Sequence, residues 1–357
     1  MTKTTVNHYL RAAAKLVTAI TFVVSGPAFA LTYTGSTSQY AGNFNPDTGF
    51  GGFGGGSCTA RKTPVIFIHG NGDNAINWDK PATGPIQPSD GRSVYDHFKA
   101  KGYNDCELFG ITYLSGSEQK APQFNYHEPE KFSIISKFID KVKQYTGKNQ
   151  VDIVGHSLGV SMSMASMEYH NKWSSVRRFI NIAGGIRGLS SCLYTGYANA
   201  LATTCGSENI FNSYVFGFYP STGIYYYGYN RWTGSSGSKS MRRIPYYRSN
   251  VDFYTIHAGY NDEVHCGTLQ GWSNCSLGAE YNNYSNVKAQ LNVGAGSTAR
   301  QIDLDFSDLS IYNAYGGDKD GIGHMRAKTN TGEIMYQMLN SSCSGDSCIG
   351  SYPGPLN

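Results

Sequence analysis

The pentapeptide Gly155-His156-Ser157-Leu158-Gly159 is the part of the sequence whose residue types and spacing point most directly to chemistry. It follows the apolar run 151–154 and precedes a small-residue, Met-rich segment, 158–169, so the sequence predicts a strand, a sharp turn and a helix. In such a nucleophile elbow, a strained backbone exposes the serine hydroxyl at the end of the strand. The pattern therefore predicts acyl transfer with Ser157 as the nucleophile.

A serine nucleophile needs a histidine base, and four histidines follow the elbow. His170 lies about three helical turns beyond Ser157 and is too far away. His257 falls inside a predicted strand, and His265 stands beside a cysteine in a loop close to the expected acid. His324 lies in a glycine-rich loop just before the final predicted helix, where an α/β-hydrolase carries its histidine, so we predict His324 as the base.

The acid that orients this base should lie between the serine and the histidine in chain order. Asp262 follows the predicted strand 251–257 at its carboxyl end, whereas Asp252 starts that strand at the opposite edge of the sheet. Asp305 belongs to an acidic segment that is equally typical of solvated surface. We predict Asp262 as the acid and keep Glu263 and Asp305 as alternatives.

The oxyanion of a tetrahedral intermediate requires fixed N–H donors. The backbone N–H of Leu158, the residue after the nucleophile, is the first candidate. The second is expected in the loop after the predicted buried strand 65–68, where the sequence is His69-Gly70-Asn71-Gly72. We predict the backbone N–H of Asn71 as this donor, and the alternative is that the loop is only a strand-ending turn.

Around these motifs, apolar and amphipathic segments alternate along the chain. Strands are predicted at 65–68, 106–113, 150–155, 176–183, 251–257 and 287–293, and helices at 93–101, 129–145, 158–169 and about 329–339. This alternation predicts an α/β-hydrolase fold with a mostly parallel sheet covered on both faces. Residues 31–57 are glycine-rich and are predicted to be irregular backbone, not a separate domain. The aromatic-rich segment 184–250 is predicted to be a lid-like insertion over the carboxyl ends of the strands.

Residues 1–30 are predicted to be a secretory signal peptide followed by one catalytic domain, 31–357. Basic residues precede the apolar stretch 16–24, and Ala28-Phe29-Ala30 matches a cleavage site. We therefore expect a secreted, extracellular protein without integral membrane association, a membrane anchor being the alternative. The first 30 residues hold three of the 29 Lys and Arg residues and none of the 25 Asp and Glu residues. The mature chain is then nearly neutral, which argues against nucleic acid as a partner.

All eight cysteines follow the predicted signal peptide, and an even number in an exported chain predicts disulfides. Eight cysteines allow about 105 connectivities. Pairing sequence neighbours gives Cys58–Cys106, Cys192–Cys205, Cys266–Cys275 and Cys343–Cys348. The last pair lacks a second pair of zinc ligands at suitable spacing, so we expect no metal.

Several segments resemble a family of polyesterases: 63–74 (TPVIFIHGNGDN), 150–154 (QVDIV), 179–181 (FIN), 183–189 (AGGIRGL) and 328–332 (KTNTG). They look like extracellular poly(3-hydroxybutyrate) depolymerases of the single-domain, lipase-like type, and the resemblance covers nearly the whole mature chain. It implies an α/β-hydrolase fold, action on amorphous polymer, and no metal or organic cofactor. It also implies the same machinery as the residues do: Ser157, Asp262 and His324 as the triad, with Asn71 and Leu158 as oxyanion donors.

The resemblance further implies a polymer-binding surface made by Tyr126, Tyr226, Tyr227 and Trp232. A tyrosine offers an apolar ring with a hydrogen-bond donor at its tip, which suits a polyester with methyl side groups and carbonyls. The alternative for these side chains is packing of the insertion against the core. We expect a monomer acting on a polyester surface, the competing functions being a lipase or carboxylesterase and an inactive polymer-binding protein.

Overall fold

The computed structural model describes residues 30–125, 127–187, 229–230, 235–236, 241–266, 275–299 and 316–357. The strands of its main sheet are β1 Ser38–Ala41, β2 Gly52–Gly55, β3 Val65–Ile68, β4 Leu108–Ile111, β5 Val151–His156, β6 Val176–Ile182, β7 Asp252–His257 and β8 Val287–Asn292. The helices are α1 Val94–Ala100, α2 Gly116–Lys120, α3 Pro129–Thr146, α4 Leu158–Tyr169, α5 Ile244–Tyr247, α6 Glu263–Cys266, α7 Gly316–Asp320, α8 Arg326–Thr329 and α9 Gly332–Asn340. Residues 229–230 and 235–236 form a separate antiparallel ladder.

The eight strands lie in the order β1-β2-β4-β3-β5-β6-β7-β8. Within the described ranges, β2 and β4 are the one antiparallel pair of this sheet, and the other neighbours are parallel. This is the predicted α/β-hydrolase fold, which is therefore confirmed. Because parallel strands end at the same edge, the loops that follow β3, β5 and β7 are brought together there.

The sheet is covered on both faces, as the alternation of strands and helices predicted. Along β3, Ile66 and Ile68 pack into the core under α3 and α4, whereas Val65 and Phe67 face the core under α1 and α9. All four side chains are fully buried. A strand that is buried on both sides is apolar at every position, which is why this segment does not alternate in polarity.

Two predicted segments differ from the structure. Residues 31–57 are not wholly irregular, because they form β1 and β2 at the edge of the sheet. Glycine is required in β2, since a Cβ on Gly54, whose φ is 137°, would lie 2.3 Å from Cδ1 of Phe109. The predicted helix 329–339 is interrupted, because Asn330 turns its side chain to the carbonyls of Thr83 and Ile86 at 2.7 and 2.6 Å. The chain therefore forms two helices, α8 and α9.

Three of the predicted disulfides are present: Cys58–Cys106, Cys266–Cys275 and Cys343–Cys348. Such bonds persist in oxidising compartments and are typical of extracellular proteins. The fourth predicted pair, Cys192–Cys205, lies outside the described residues, as do residues 1–29 and most of the predicted insertion. Among the helices that are described, none combines the length and the apolar character needed to cross a membrane.

Candidate active site

Ser157 occupies the turn between β5 and α4 with φ 54° and ψ −126°. A positive φ is unfavourable for a residue with a side chain and persists only where the surroundings enforce it. Here the backbone N–H of Ser157 donates to the carbonyl of Ile182 at 2.8 Å, which ties the turn to β6. Ser157 is partly exposed although every residue of β5 is buried. The local backbone is thus that of a nucleophile elbow.

The elbow packs directly on the loop after β3. A Cβ on Gly159 would lie 2.2 Å from the carbonyl oxygen of His69, so only glycine permits this approach. On the other side of the contact, a Cβ on Gly70 would lie 3.0 Å from Cβ of Ser157. The two segments predicted to supply oxyanion donors are therefore adjacent.

His324 and Asp262 meet at the same edge of the sheet, although 62 residues separate them. Nδ1 of His324 lies 3.0 Å from both carboxylate oxygens of Asp262, and both side chains are buried. Because the carboxylate accepts, Nδ1 carries the proton and Nε2 is left as the basic nitrogen. Burial lowers the pKa of His324, but the Asp262 carboxylate outweighs burial and holds the pKa above its ordinary value.

Backbone N–H groups in the loop of Asp262 stabilise its ionised carboxylate. One carboxylate oxygen accepts the backbone N–H groups of Val264 and His265 at 3.0 and 2.8 Å. Burial raises the pKa of Asp262, but His265, His324 and these N–H groups hold it well below its usual range. Of the two alternatives, Glu263 contacts the backbone N–H of His324 at 3.0 Å, and Asp305 lies outside the described residues.

His156 is a part of the site that the sequence analysis did not identify. Its Nε2 donates to the backbone carbonyl of His324 at 3.1 Å, and the two rings lie 4.9 Å apart. Burial holds the pKa of His156 well below its ordinary value, so the ring is neutral. His156, the residue before Ser157, thus holds the loop of His324 beside the elbow. Its place within the pentapeptide is the sequence signal by which it could have been found.

The two predicted oxyanion donors are backbone groups. Leu158 is the first residue of α4, where an N–H has no acceptor within the helix and the helix end is partly positive. The side chain of Asn71 fixes its loop: Nδ2 donates to the carbonyl of Pro122 at 2.8 Å, and Oδ1 accepts from Nδ2 of Asn125 at 2.7 Å. These two bonds hold the loop after β3 in place.

A buried ion pair joins the loop after β3 to the segment after His324. Nζ of Lys328 lies 2.6 Å from Oδ2 of Asp73, with 2% and 7% of the two side chains exposed. Burial raises the pKa of Asp73, but Lys328 and His69 hold it well below its usual range. This contact links positions 255 residues apart, and the sequence analysis did not predict it.

The four predicted polymer-binding residues, Tyr126, Tyr226, Tyr227 and Trp232, all lie outside the described residues. The two neighbours of Tyr126 are described and both bond to the site. Asn125 contacts Asn71, and Nε2 of His127 lies 2.8 Å from Oγ of Ser161, one helical turn after Ser157.

Asp262, His265 and His324 also form the one group in the described ranges whose donor atoms could hold a metal ion, since these atoms lie within 4.8 Å of one another. A cation bound there would compete with Nδ1 of His324 for the Asp262 carboxylate. It would therefore oppose the orientation of the imidazole.

Comparison with known proteins gives a family. A model described as Lipase (class 2) matches residues 62–244, just over half of the chain. Among solved structures, Aspergillus fumigatus lipase B is 14% identical, with 94% of this chain and 64% of that chain covered and a TM-score of 0.42. The mature form of Bacillus licheniformis lipase BlEst2 is 16% identical, with 57% and 69% covered and a TM-score of 0.33. The chain thus spans about two thirds of the length of these lipases. No match was found among curated proteins. The family match contains both the loop after β3 and the elbow, and the chain belongs to the class 2 lipase family of ester hydrolases.

Proposed function

We propose that this protein is a secreted serine hydrolase that cleaves the ester bonds of amorphous poly(3-hydroxybutyrate) and releases 3-hydroxybutyrate oligomers. The observation that carries the reaction type is the His324–Asp262 pair, at 3.0 Å, held beside a serine in the strained elbow conformation. Membership of a lipase family supports ester hydrolysis. The polymer as substrate rests on the resemblance of five segments of the chain to depolymerases.

In the acylation step, Nε2 of His324 takes the proton of the Ser157 hydroxyl while the oxygen attacks the ester carbonyl. Asp262 keeps the proton of the imidazole on Nδ1 and stabilises the imidazolium. The N–H groups of Leu158 and Asn71 donate to the oxyanion, and a single such donor contributes about 3 to 4 kcal/mol to catalysis. The imidazolium then gives its proton to the leaving alcohol.

Deacylation repeats these transfers with water in place of the serine hydroxyl. His324 activates the water, the second tetrahedral intermediate uses the same two N–H donors, and the proton returns to Ser157. Each cycle breaks one ester bond and forms one carboxylate and one hydroxyl end. The proposal is supported by the arrangement of the chain, because Asn71, Ser157 and Asp262 follow β3, β5 and β7 at one edge of the sheet.

A second candidate is a lipase or carboxylesterase that acts on monomeric lipids. The observation in its favour is the match of residues 62–244 to the class 2 lipase model. The two candidates share Ser157, Asp262 and His324 and differ in the surface that receives the substrate. They are therefore separated by substrate preference and not by loss of the triad.

The test is clearing of an amorphous poly(3-hydroxybutyrate) suspension by the purified protein, beside hydrolysis of a triglyceride emulsion. Ser157→Ala is the inactive variant. Ser163→Ala is its matched control, because Ser163 lies on the same helix and donates only to the carbonyl of Gly159, at 2.6 Å. We expect clearing by the wild type and by the control but not by Ser157→Ala.

Each result decides between named alternatives. Preferential hydrolysis of the triglyceride by a protein that leaves the polymer turbid establishes the lipase candidate. A folded protein that hydrolyses neither substrate and does not react with a fluorophosphonate refutes the serine mechanism itself.

A further inference from the structure

The loop that carries His324 is held by a carboxylate outside the predicted triad. Asp318, on α7, accepts three backbone N–H groups of this loop: Gly323 and Arg326 at Oδ1, 3.0 and 2.8 Å away, and Met325 at Oδ2, 2.6 Å away. A carboxylate that accepts several backbone N–H groups fixes the loop that donates them. The N–H of His324, in the middle of this run, does not go to Asp318.

Glu263 supplies the missing acceptor. Its Oε2 lies 3.0 Å from the backbone nitrogen of His324, so four consecutive N–H groups, 323–326, are received by two carboxyl groups. The two groups face each other across Gly323, where an added Cβ would lie 2.6 Å from Oε2 of Glu263 and 3.0 Å from Cγ of Asp318. The two carboxyl groups therefore lie close to each other beside the histidine loop.

Two ionised carboxylates that lie this close together repel each other, so it is favourable for one of them to keep its proton. The charged side chains that act most strongly on Glu263 are Asp318 on α7 and Asp262 in its own segment, and both are acidic. Burial and these two acids raise the pKa of Glu263 to about 11, although its bond from the His324 N–H acts in the opposite direction. At neutral pH Glu263 therefore keeps its proton, and a protonated carboxyl group can donate a hydrogen bond.

We propose that Glu263, as a protonated acid hydrogen-bonded to the Asp318 carboxylate, positions the loop of His324 for proton transfer. Glu263 directly follows the triad acid Asp262, so one short segment orients the imidazole ring through Asp262 and the backbone of the same histidine through Glu263. The retained proton also keeps a second negative charge away from the Asp262–His324 pair. Glu263 and Asp318 are positioning residues in the catalytic cycle proposed above, on which this inference rests.

The test compares Glu263→Gln with Glu263→Ala on a short soluble ester. Glutamine is neutral, its carbonyl oxygen accepts the N–H of His324, and its amide donates to Asp318, so we expect kcat within about twofold of the wild type. Alanine removes both bonds, and we expect kcat to fall about 10- to 100-fold with a much smaller change in KM, since misplacement of a catalytic group by about 1 Å has effects of this size. Asp320→Asn is the matched control. Asp320 is exposed and lies on α7 like Asp318, but it contacts Ser297, outside the histidine loop.

The inference is overturned if Glu263→Gln loses as much activity as Glu263→Ala, since the role would then require a charge. It is also overturned if folded Glu263→Ala keeps the wild-type kcat. If Glu263→Ala does not fold, Glu263→Gln against Asp318→Asn decides: we expect the first to be active and the second impaired, and the reverse order refutes the proposal. A wild-type protein that fails to react with a fluorophosphonate would instead refute the proposed serine mechanism.

Discussion

Replacing Lys328 by Met tests whether the buried ion pair between Lys328 and Asp73 holds the segment after His324 against the loop after β3. The Met side chain fills most of the space of Lys328 but leaves the Asp73 carboxylate buried without its countercharge. Removing one partner of a buried pair costs about 3 to 5 kcal/mol. With Nζ and Oδ2 2.6 Å apart and almost no exposure of either side chain, we expect this full range.

A loss of this size lowers the melting temperature of a domain of about 150 to 250 residues by roughly 6 to 20 °C. The shift is smaller in a longer chain such as this one, because the entropy of unfolding increases with chain length. The double variant Asp73→Leu/Lys328→Met removes both charges. It should be more stable than Lys328→Met, because no uncompensated charge remains in the interior. The double variant should remain less stable than the wild type, because Asp73→Leu also removes the hydrogen bonds of Asp73 with Asn74 and Asn77, at 2.8 and 2.5 Å.

The assay is denaturant unfolding of the two variants and the wild type at several pH values, with Lys319→Met as a control at an exposed lysine. In the wild type, the lowered pKa of Asp73 gives stability that is present above its unfolded-state pKa of about 4 and is lost on further acidification. In Lys328→Met, burial without the lysine raises the pKa of Asp73. The variant therefore loses stability as pH rises above about 4, and its deficit should be smaller at pH 5 than at pH 8.

A deficit that does not change with pH would refute this reasoning, since it would mean that the lost contact is packing against Trp78, over whose ring Nζ lies at 5.3 Å. A double variant less stable than Lys328→Met would also refute it. The control variant should match the wild type at every pH.

The remaining predictions concern the reacting groups. Asp262→Asn should lower kcat on a soluble ester by about 10⁴-fold, because the imidazole loses the partner that fixes its tautomer. Because the pKa of His324 is raised and its neutral form is the base, kcat/KM should fall on acidification with a midpoint above about 6.5, and a rate independent of pH from about 5 to 8 would exclude His324 as the base. Gly159→Ala should destabilise the protein by at least about 1 to 3 kcal/mol in thermal unfolding, since its Cβ would lie 2.2 Å from the His69 carbonyl oxygen; wild-type stability would contradict that contact.

The sequence located the candidate reacting groups because each stands in a local pattern that the chemistry requires. Ser157 is marked by the strand, the tight turn and the helix around it, and Asp262 and His324 by loops in the chain order of the fold. The three observed disulfides were also predicted correctly, because each joins two consecutive cysteines of the chain, although Cys58 and Cys106 are 48 residues apart. The strand, turn and loop patterns were informative because neighbouring residues determine the backbone at these points.

Other features were missed because their causes are not local. The glycine-rich strand β2 has none of the β-branched residues that predict a strand, and it is held by pairing with β1 and β4. The break between α8 and α9 depends on bonds from Asn330 to Thr83 and Ile86, about 245 residues away. Neither the sequence of β2 nor that around Asn330 contains a pattern that predicts these distant partners.

The same distinction separates the groups that react from those that position them. Bonds between distant segments hold the candidate site: Asn125 bonds to Asn71, His156 to the His324 carbonyl, and Lys328 to Asp73, across 54, 168 and 255 residues. Each bond involves a buried or partly buried polar group that would be costly to leave unpaired. We expect these groups to support the site and not to contact the substrate, so their loss should lower kcat more than it raises KM. A substrate-lining aromatic should do the opposite, so kinetics of single variants can distinguish the two kinds of residue even where their distances from Ser157 are similar.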